Sequence, residues 1–234
     1  MVIDFHSHIL PRIDDGSKDL DTSLEMLSRC RENGVDIMIA TPHFYADEHR
    51  IEQFLERRQN AYEDVMKAFN GDAPRILLGG EVAYFSGMSK SERISDLTIQ
   101  GTDILLVEMP FDTWNASVIK DIKELIYKDK LKVMIAHIER FTRIKGNKPY
   151  IKELLELPVI IQVNAEAITE GKQKSEMLKL FKRGQAKVLG SDCHGIHHRV
   201  PNLWEARDVI VGKLGSEMLS QIDEFGSLLL NDII

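Results

Sequence analysis

Seven short apolar runs punctuate the chain, near Val2–His6, Ile37–Thr41, Arg75–Gly80, Ile104–Glu108, Val133–His137, Val159–Val163 and Lys187–Gly190. A continuous apolar run of this length is what a strand buried on both faces presents, and strands buried that way belong to parallel sheets. Between the runs, apolar residues recur at helical spacing. Leu20, Leu24, Leu27 and Cys30 fall on one face of a helix predicted from Asp19 to Asn33, and Gly34 supplies its stop. Glu52–Phe69 reads as a second helix, bounded by Asn70-Gly71-Asp72, and more helices are expected at Ser117–Lys128, Lys148–Leu155, Ser175–Lys182 and Trp204–Leu214. Alternating strands and helices predict βαβ units. Seven such strands predict an α/β fold closed as a distorted (β/α)7-type barrel. The long loops Ile9–Lys18 and Tyr84–Thr102 should then lie over its active rim. No repeat, low-complexity stretch or linker breaks the pattern, so residues 1–234 are expected to form a single domain.

The runs end on metal-ligand residue types. His6-Ser7-His8 closes the first, His43 follows Ile39-Ala40-Thr41-Pro42, and Glu81 follows Leu78-Gly79-Gly80. Glu108 and His137 close two more, and Ser191-Asp192-Cys193-His194 follows the last. Strand side chains alternate faces, so His6 and His8 share a direction, as do Asp192 and His194. Parallel barrels collect their chemistry at the carboxyl ends of the strands. Each terminus alone also reads as a solvated strand end; their repetition favours a shared metal site. Asp14-Asp15-Gly16 reads equally as a turn and as a further ligand at Asp15. His49, His197 and His198 read as solvated, with substrate contact the alternative for His197 and His198.

Composition narrows the chemistry. A net charge of -7 argues against a nucleic-acid partner. Two cysteines are too few for a disulfide framework. The first residues carry no secretory signal and no run nears the roughly 18 apolar residues of a membrane span, so a cytoplasmic protein is expected. Imidazole and carboxylate without thiolate favour zinc, iron or manganese over magnesium or calcium. Five histidines with three or four carboxylates exceed one ion's needs and suit two or three ions. Clustered dications supply hydroxide at neutral pH, so hydrolysis is the expected reaction.

Arg140, three residues past His137, and Arg199, five past His194, should stand above the same rim. Arginine grips phosphate oxygens bidentately, which points to a phosphoric ester; the alternative is a rim salt bridge. Cys193 to Arg199 also has the Cys-x5-Arg spacing of cysteine-dependent tyrosine phosphatases. That chemistry needs a small-residue loop opening a helix, whereas this loop carries three histidines, and alternation turns Cys193 away from Asp192 and His194.

The quoted motifs carry a family resemblance. Ile3-Asp4-Phe5-His6-Ser7-His8-Ile9-Leu10-Pro11 with Asp14-Asp15-Gly16, Ala40-Thr41-Pro42-His43, Gly80-Glu81-Val82, Glu108-Met109-Pro110-Phe111, Ala136-His137-x-Glu139-Arg140 and Ser191-Asp192-x-His194 occur in order. Together they resemble the polymerase-and-histidinol-phosphatase (PHP) superfamily over residues 1 to about 215. The likeness is strongest to its bacterial manganese-dependent protein-tyrosine phosphatases, which act on tyrosine autokinases of capsule and exopolysaccharide synthesis. The resemblance implies one metal held by His6, His8, Glu81 and Asp192. It implies a second shared through Glu81 with Glu108 and His137, and a third on Asp15, His43 and His194. It further implies manganese as the metal, Arg140 and Arg199 as catalytic phosphate-binding residues, and a phosphotyrosine protein, a bacterial tyrosine kinase, as partner. The family usually carries proline where Ile138 stands, and Gln162-Val163-Asn164-Ala165-Glu166 departs from its pattern. The alternatives are a PHP phosphatase of a small phosphomonoester such as histidinol phosphate, and an amidohydrolase-type metal hydrolase.

Overall fold

A computed structural model describes residues 1–69 and 72–233; Asn70 and Gly71, expected to bound the second helix, lie outside the described residues. Among the described residues, nine parallel strands make seven staves of a barrel: β1 (Ile3–Ser7), β2 (Ile37–Ala40) continued by β3 (His43–Phe44), β4 (Arg75–Leu78) continued by β5 (Glu81–Ala83), β6 (Ile104–Glu108), β7 (Lys132–Ile135), β8 (Ile160–Asn164) and β9 (Ala186–Gly190). The ring closes where Ser7 bridges Cys193, with His8 N–H donating to Cys193 O (2.9 Å) and Asp192 N–H to His6 O (2.7 Å). The expected barrel is the observed one.

Two staves extend beyond the runs expected at Ile37–Thr41 and Arg75–Gly80, and each breaks before it continues. Pro42 lacks the N–H that a ladder needs, and it interrupts β2/β3. Beside it, β4/β5 breaks at Gly79-Gly80, where a Cβ on Gly80 would lie 3.3 Å from the Phe54 ring. Pairing resumes in the same register, Ala40 opposite Leu78 and then His43 opposite Glu81. The kink thus carries His43 and Glu81 inward together.

Alternation divides the core. Ile37, Ile39, Ile104, Leu106 and Met134 belong to one buried cluster inside the barrel. Met38, Leu105, Val107, Val133 and Ile135 join the other, with helix residues such as Met26, Leu27, Ile122 and Leu125. The helices are α1 (Leu20–Glu32), α2 (Ile51–Ala68), α3 (Ala116–Tyr127), α4 (Glu139–Thr142), α5 (Lys148–Leu154), α6 (Ala165–Thr169), α7 (Lys174–Lys182), α8 (Leu203–Leu214) and α9 (Ser216–Leu229). Asp19 caps α1, its carboxylate accepting from Thr22 N–H at 2.8 Å.

Three helices were not anticipated. α4 and α6 are single turns too short to show a period, α6 opening directly after β8 and α4 after the three residues that follow β7. α9 is long and lies beyond Leu214, where the last expected helix ends. Gly215, at φ +93°, ends α8 and opens a second amphipathic stretch on Met218, Leu219, Ile222 and Phe225. α9 packs on β1 and β9 and brings Phe225, Leu229 and Leu230 to Ile3 and Phe5.

Candidate metal centre

Every strand-end ligand type reaches one place at the carboxyl rim. Glu81, fully buried, lies at its middle. One carboxylate oxygen, Oε2, is 3.0 Å from His6 Nε2, 3.2 Å from His8 Nε2 and 3.0 Å from His43 Nδ1, and the other is 2.8 Å from His137 Nε2. Asp192 Oδ1 stands 3.5 Å from His6 and 3.4 Å from His8, while Glu108 lies 3.3 Å from His137. Asp15, exposed in its loop, faces His43 at 3.5 Å and His194 at 3.4 Å. Three sets of ligand atoms each lie within 4.8 Å of one another: His6, His8, Glu81 and Asp192; His8, Asp15, His43 and His194; His43, Glu81 and Glu108.

Backbone geometry, beyond alternation, assembles the set. Ala136 belongs to the interior cluster, so alternation would send His137 the other way. A left-handed φ of +29° turns it back, and Asp192 (φ +53°) and Arg199 (φ +47°) share that unusual backbone. Left-handed non-glycine residues concentrate where surrounding contacts enforce them, commonly at functional sites.

The donor set fits cations. Glu81 Oε2, Asp192 Oδ1, His43 Nδ1 and His194 Nε2 are buried without an aligned hydrogen-bond partner, an arrangement that proteins otherwise avoid. Burial pushes the Glu81 carboxyl up, yet the His6 charge and bonds from His137 and His43 outweigh it and hold the group well below its usual range. Asp192 is likewise opposed by burial and held well below that range by His6 and His8. Burial disfavours charge on His137, but Glu108 and Glu81 raise it to about 9. His194 moves to about 4 through burial and the charges of His8 and Arg199. The cluster therefore demands positive charge at its centre, which divalent ions satisfy.

Residues that the sequence reading passed over orient these candidate ligands. Asp14, read only as part of a turn, accepts from His8 Nδ1–H at 2.6 Å and from His43 N–H at 2.9 Å. That bond leaves His8 Nε2 facing Glu81 and Asp192. Gln162 Oε1 accepts from His137 N–H (2.7 Å) and sits 3.2 Å from His6 Nδ1. Its amide donates to Asn164 Oδ1 (2.9 Å), and Asn164 Nδ2 donates to Asp192 Oδ2 (2.7 Å). The signal was present: in Ile160-Ile161-Gln162-Val163-Asn164, amides alternate into an otherwise apolar strand. Ile138, at φ −50°, has a proline-like conformation, and its N–H donates to Gln162 O at 3.3 Å. The two departures from the family pattern thus face each other.

Arg140, on α4, and Arg199, in the segment before α8, meet at one carboxylate. Their Nη2 atoms lie 2.5 Å from Asp192 Oδ2 and 2.6 Å from Asp192 Oδ1, and both side chains are 32% exposed. Cys193 is buried, and burial drives its thiol upward, as it does for Cys30. His197 and His198 are exposed as expected, whereas His49 is half-buried against Phe44 and Phe54.

Comparisons with known proteins agree over nearly the full chain. The family described as capsular polysaccharide synthesis, CpsB/CapC, matches residues 2–225. Tyrosine-protein phosphatase CpsB of Streptococcus pneumoniae is 27% identical over 236 residues, covering 94% of each chain. Tyrosine-protein phosphatase YwqE of Bacillus subtilis is 29% identical over 239 residues, covering 99% of this chain and 92% of its own. A crystal structure from work on YwqE and CpsB, described as unique metal-dependent tyrosine phosphatases, superimposes with a TM-score of 0.85 at 28% identity. It covers 99% of this chain and 95% of that one.

Proposed function

This chain belongs to the capsular polysaccharide synthesis family CpsB/CapC, and we propose that it is a metal-dependent protein-tyrosine phosphatase. The observation that carries the reading is the convergence of Arg140 and Arg199 on Asp192, itself inside a cluster of metal-ligand side chains. His6, His8, Glu81 and Asp192 would hold one ion, Asp15, His43 and His194 another, and Glu81, Glu108 and His137 a third. Manganese is the proposed metal, with iron or zinc the other choices for these donors. Such ions, when bound, supply Lewis acidity and water acidic enough to attack at neutral pH.

The protein's own groups do the rest. Asp14 fixes the His8 tautomer, and Gln162 and Asn164 hold His6, His137 and Asp192 in place. The guanidinium groups of Arg140 and Arg199 bind the phosphate oxygens and offset the charge that builds there. The proposed target is a phosphotyrosine protein, a bacterial tyrosine autokinase of capsule or exopolysaccharide synthesis, met in the cytoplasm. Among the described residues, no helix is long and apolar enough to cross a membrane.

Elemental analysis of the purified protein should find two or three transition-metal ions per chain, and added manganese should support turnover of a phosphotyrosine peptide. Activity that survives complete metal removal would overturn the mechanism. Faster turnover of histidinol phosphate than of the peptide would overturn the substrate assignment.

A further inference from the structure

Phe111 stands out among the exposed apolar side chains because of where it stands. Met1, Met66, Tyr127, Val211 and Leu228 are exposed too, but none lines a cleft beside the metal cluster. Phe111, 56% exposed, lines a cleft of about 290 Å³ together with Arg140 and Asn164. Those two residues bond Asp192 at 2.5 and 2.7 Å, so the cleft and the ligand cluster share a wall.

The ring is also held in position. Trp114 Nε1–H donates to Pro110 O at 2.8 Å, and Trp114 N–H donates to Asn147 Oδ1 at 2.7 Å, which pins the loop on both sides of Phe111. Its ring lies 5.2 Å from the Phe141 ring and 6.3 Å from that of His137, which it covers at an interplanar angle of 25°. Phe141 and His137 are buried, and Phe111 is not. An apolar ring kept in water by a rigid loop loses stability there unless something covers it.

Resting on the phosphatase reading above, we infer that Phe111 is the aryl-recognition residue: the phenyl ring of the substrate's phosphotyrosine lies against it, in the cleft bounded by Arg140 and Asn164. A phosphate gripped by Arg140 places the next group of its ester over that cleft. An aromatic ester covers Phe111 in offset or edge-to-face contact, and an alkyl ester leaves most of the ring wet. Among the described residues, the cleft on the Arg199 side, lined by Asp15, Ile196, His197 and His198, offers no phenylalanine, tyrosine or tryptophan. Selection for tyrosine over serine would then come from one side chain and not from the metal chemistry.

The test compares wild-type protein, Phe111→Ala and Phe111→Tyr, all loaded with manganese. Each is assayed on a phosphotyrosine peptide and on phenyl phosphate, with inorganic phosphate as competitive inhibitor. Phe111→Ala should raise KM for both aryl esters by about tenfold, the size of one aromatic contact plus its buried area, with kcat within about twofold. Its inhibition by inorganic phosphate should be unchanged, and Phe111→Tyr should restore KM. An unchanged KM overturns the inference while leaving the phosphatase reading intact. So does an equal weakening of inorganic phosphate, which would mark Phe111 as a mere support for His137. A wild-type protein that hydrolyses neither aryl ester would overturn both.

Discussion

Adjacent in the chain, Asp14 and Asp15 act on the site differently. Asp15 is exposed and faces His43 and His194, whereas Asp14 is largely buried and holds the far side of the His8 ring. Asp14→Asn keeps the shape and removes the charge that fixes His8. Metal affinity should fall by about 10- to 100-fold, read by titration against a competing chelator, with the fold retained. Unchanged affinity would mean that His8 needs no orienting partner. The arginines call for another measurement. Arg140→Ala and Arg199→Ala should each lower kcat by about 10²-fold or more while metal content stays constant, because the role proposed for them is on the phosphate. Wild-type rates in both variants would refute the phosphate assignment. Cys193 is the contrasting case. Its thiol is fully buried and driven upward by desolvation, far from the thiolate that nucleophilic catalysis requires. Cys193→Ser should retain most activity; complete loss with fold and metals intact would revive the cysteine mechanism.

At the scale of elements, α9 packs across both β1 and β9. Gly226 permits the approach, because a Cβ there would meet the Phe5 ring at 3.0 Å. Gly226→Leu should therefore cost about 1–3 kcal/mol by overpacking, measured by denaturant unfolding. Activity per folded molecule should be unaffected, because α9 packs near the amino ends of β1 and β9 and the candidate ligands stand at their carboxyl ends. The sequence made the seven staves legible because buried parallel strands are apolar on both faces, as Ile104-Leu105-Leu106-Val107 shows. It made the candidate ligands legible because a charged or imidazole side chain at the end of such a run has few structural uses. The second tier was harder to read. Asp14 looks like turn chemistry, and Gln162 and Asn164 are neutral amides whose role depends on which neighbours the barrel brings to them. The turn of His137 back into the site depends on a backbone conformation that residue type does not announce.

At the scale of the whole molecule, the cluster makes folding depend on positive charge, and pH should separate the two ways of supplying it. Without metal, protons do so. His137 is raised to about 9 and His8 well above its ordinary value, by carboxylates that outweigh burial in both cases. A histidine whose folded pKa is raised contributes stability that is complete below its unfolded value near 6.5 and is lost as pH rises toward the folded one. Glu81 and Asp192, held low, contribute stability that is present above about pH 4 and lost as pH falls further. Asp4, raised by burial to about 6, changes its contribution below the histidine window. Between pH 6.5 and about 9, chelated protein should therefore lose thermal stability as pH rises. Manganese reverses the sign, because the same imidazoles must be unprotonated to bind it and its affinity grows with pH. Melting curves taken across that window, in chelator and in excess manganese, should diverge steadily toward the alkaline end. Parallel curves would mean that the buried histidines and carboxylates are structural and that metal binds elsewhere or not at all.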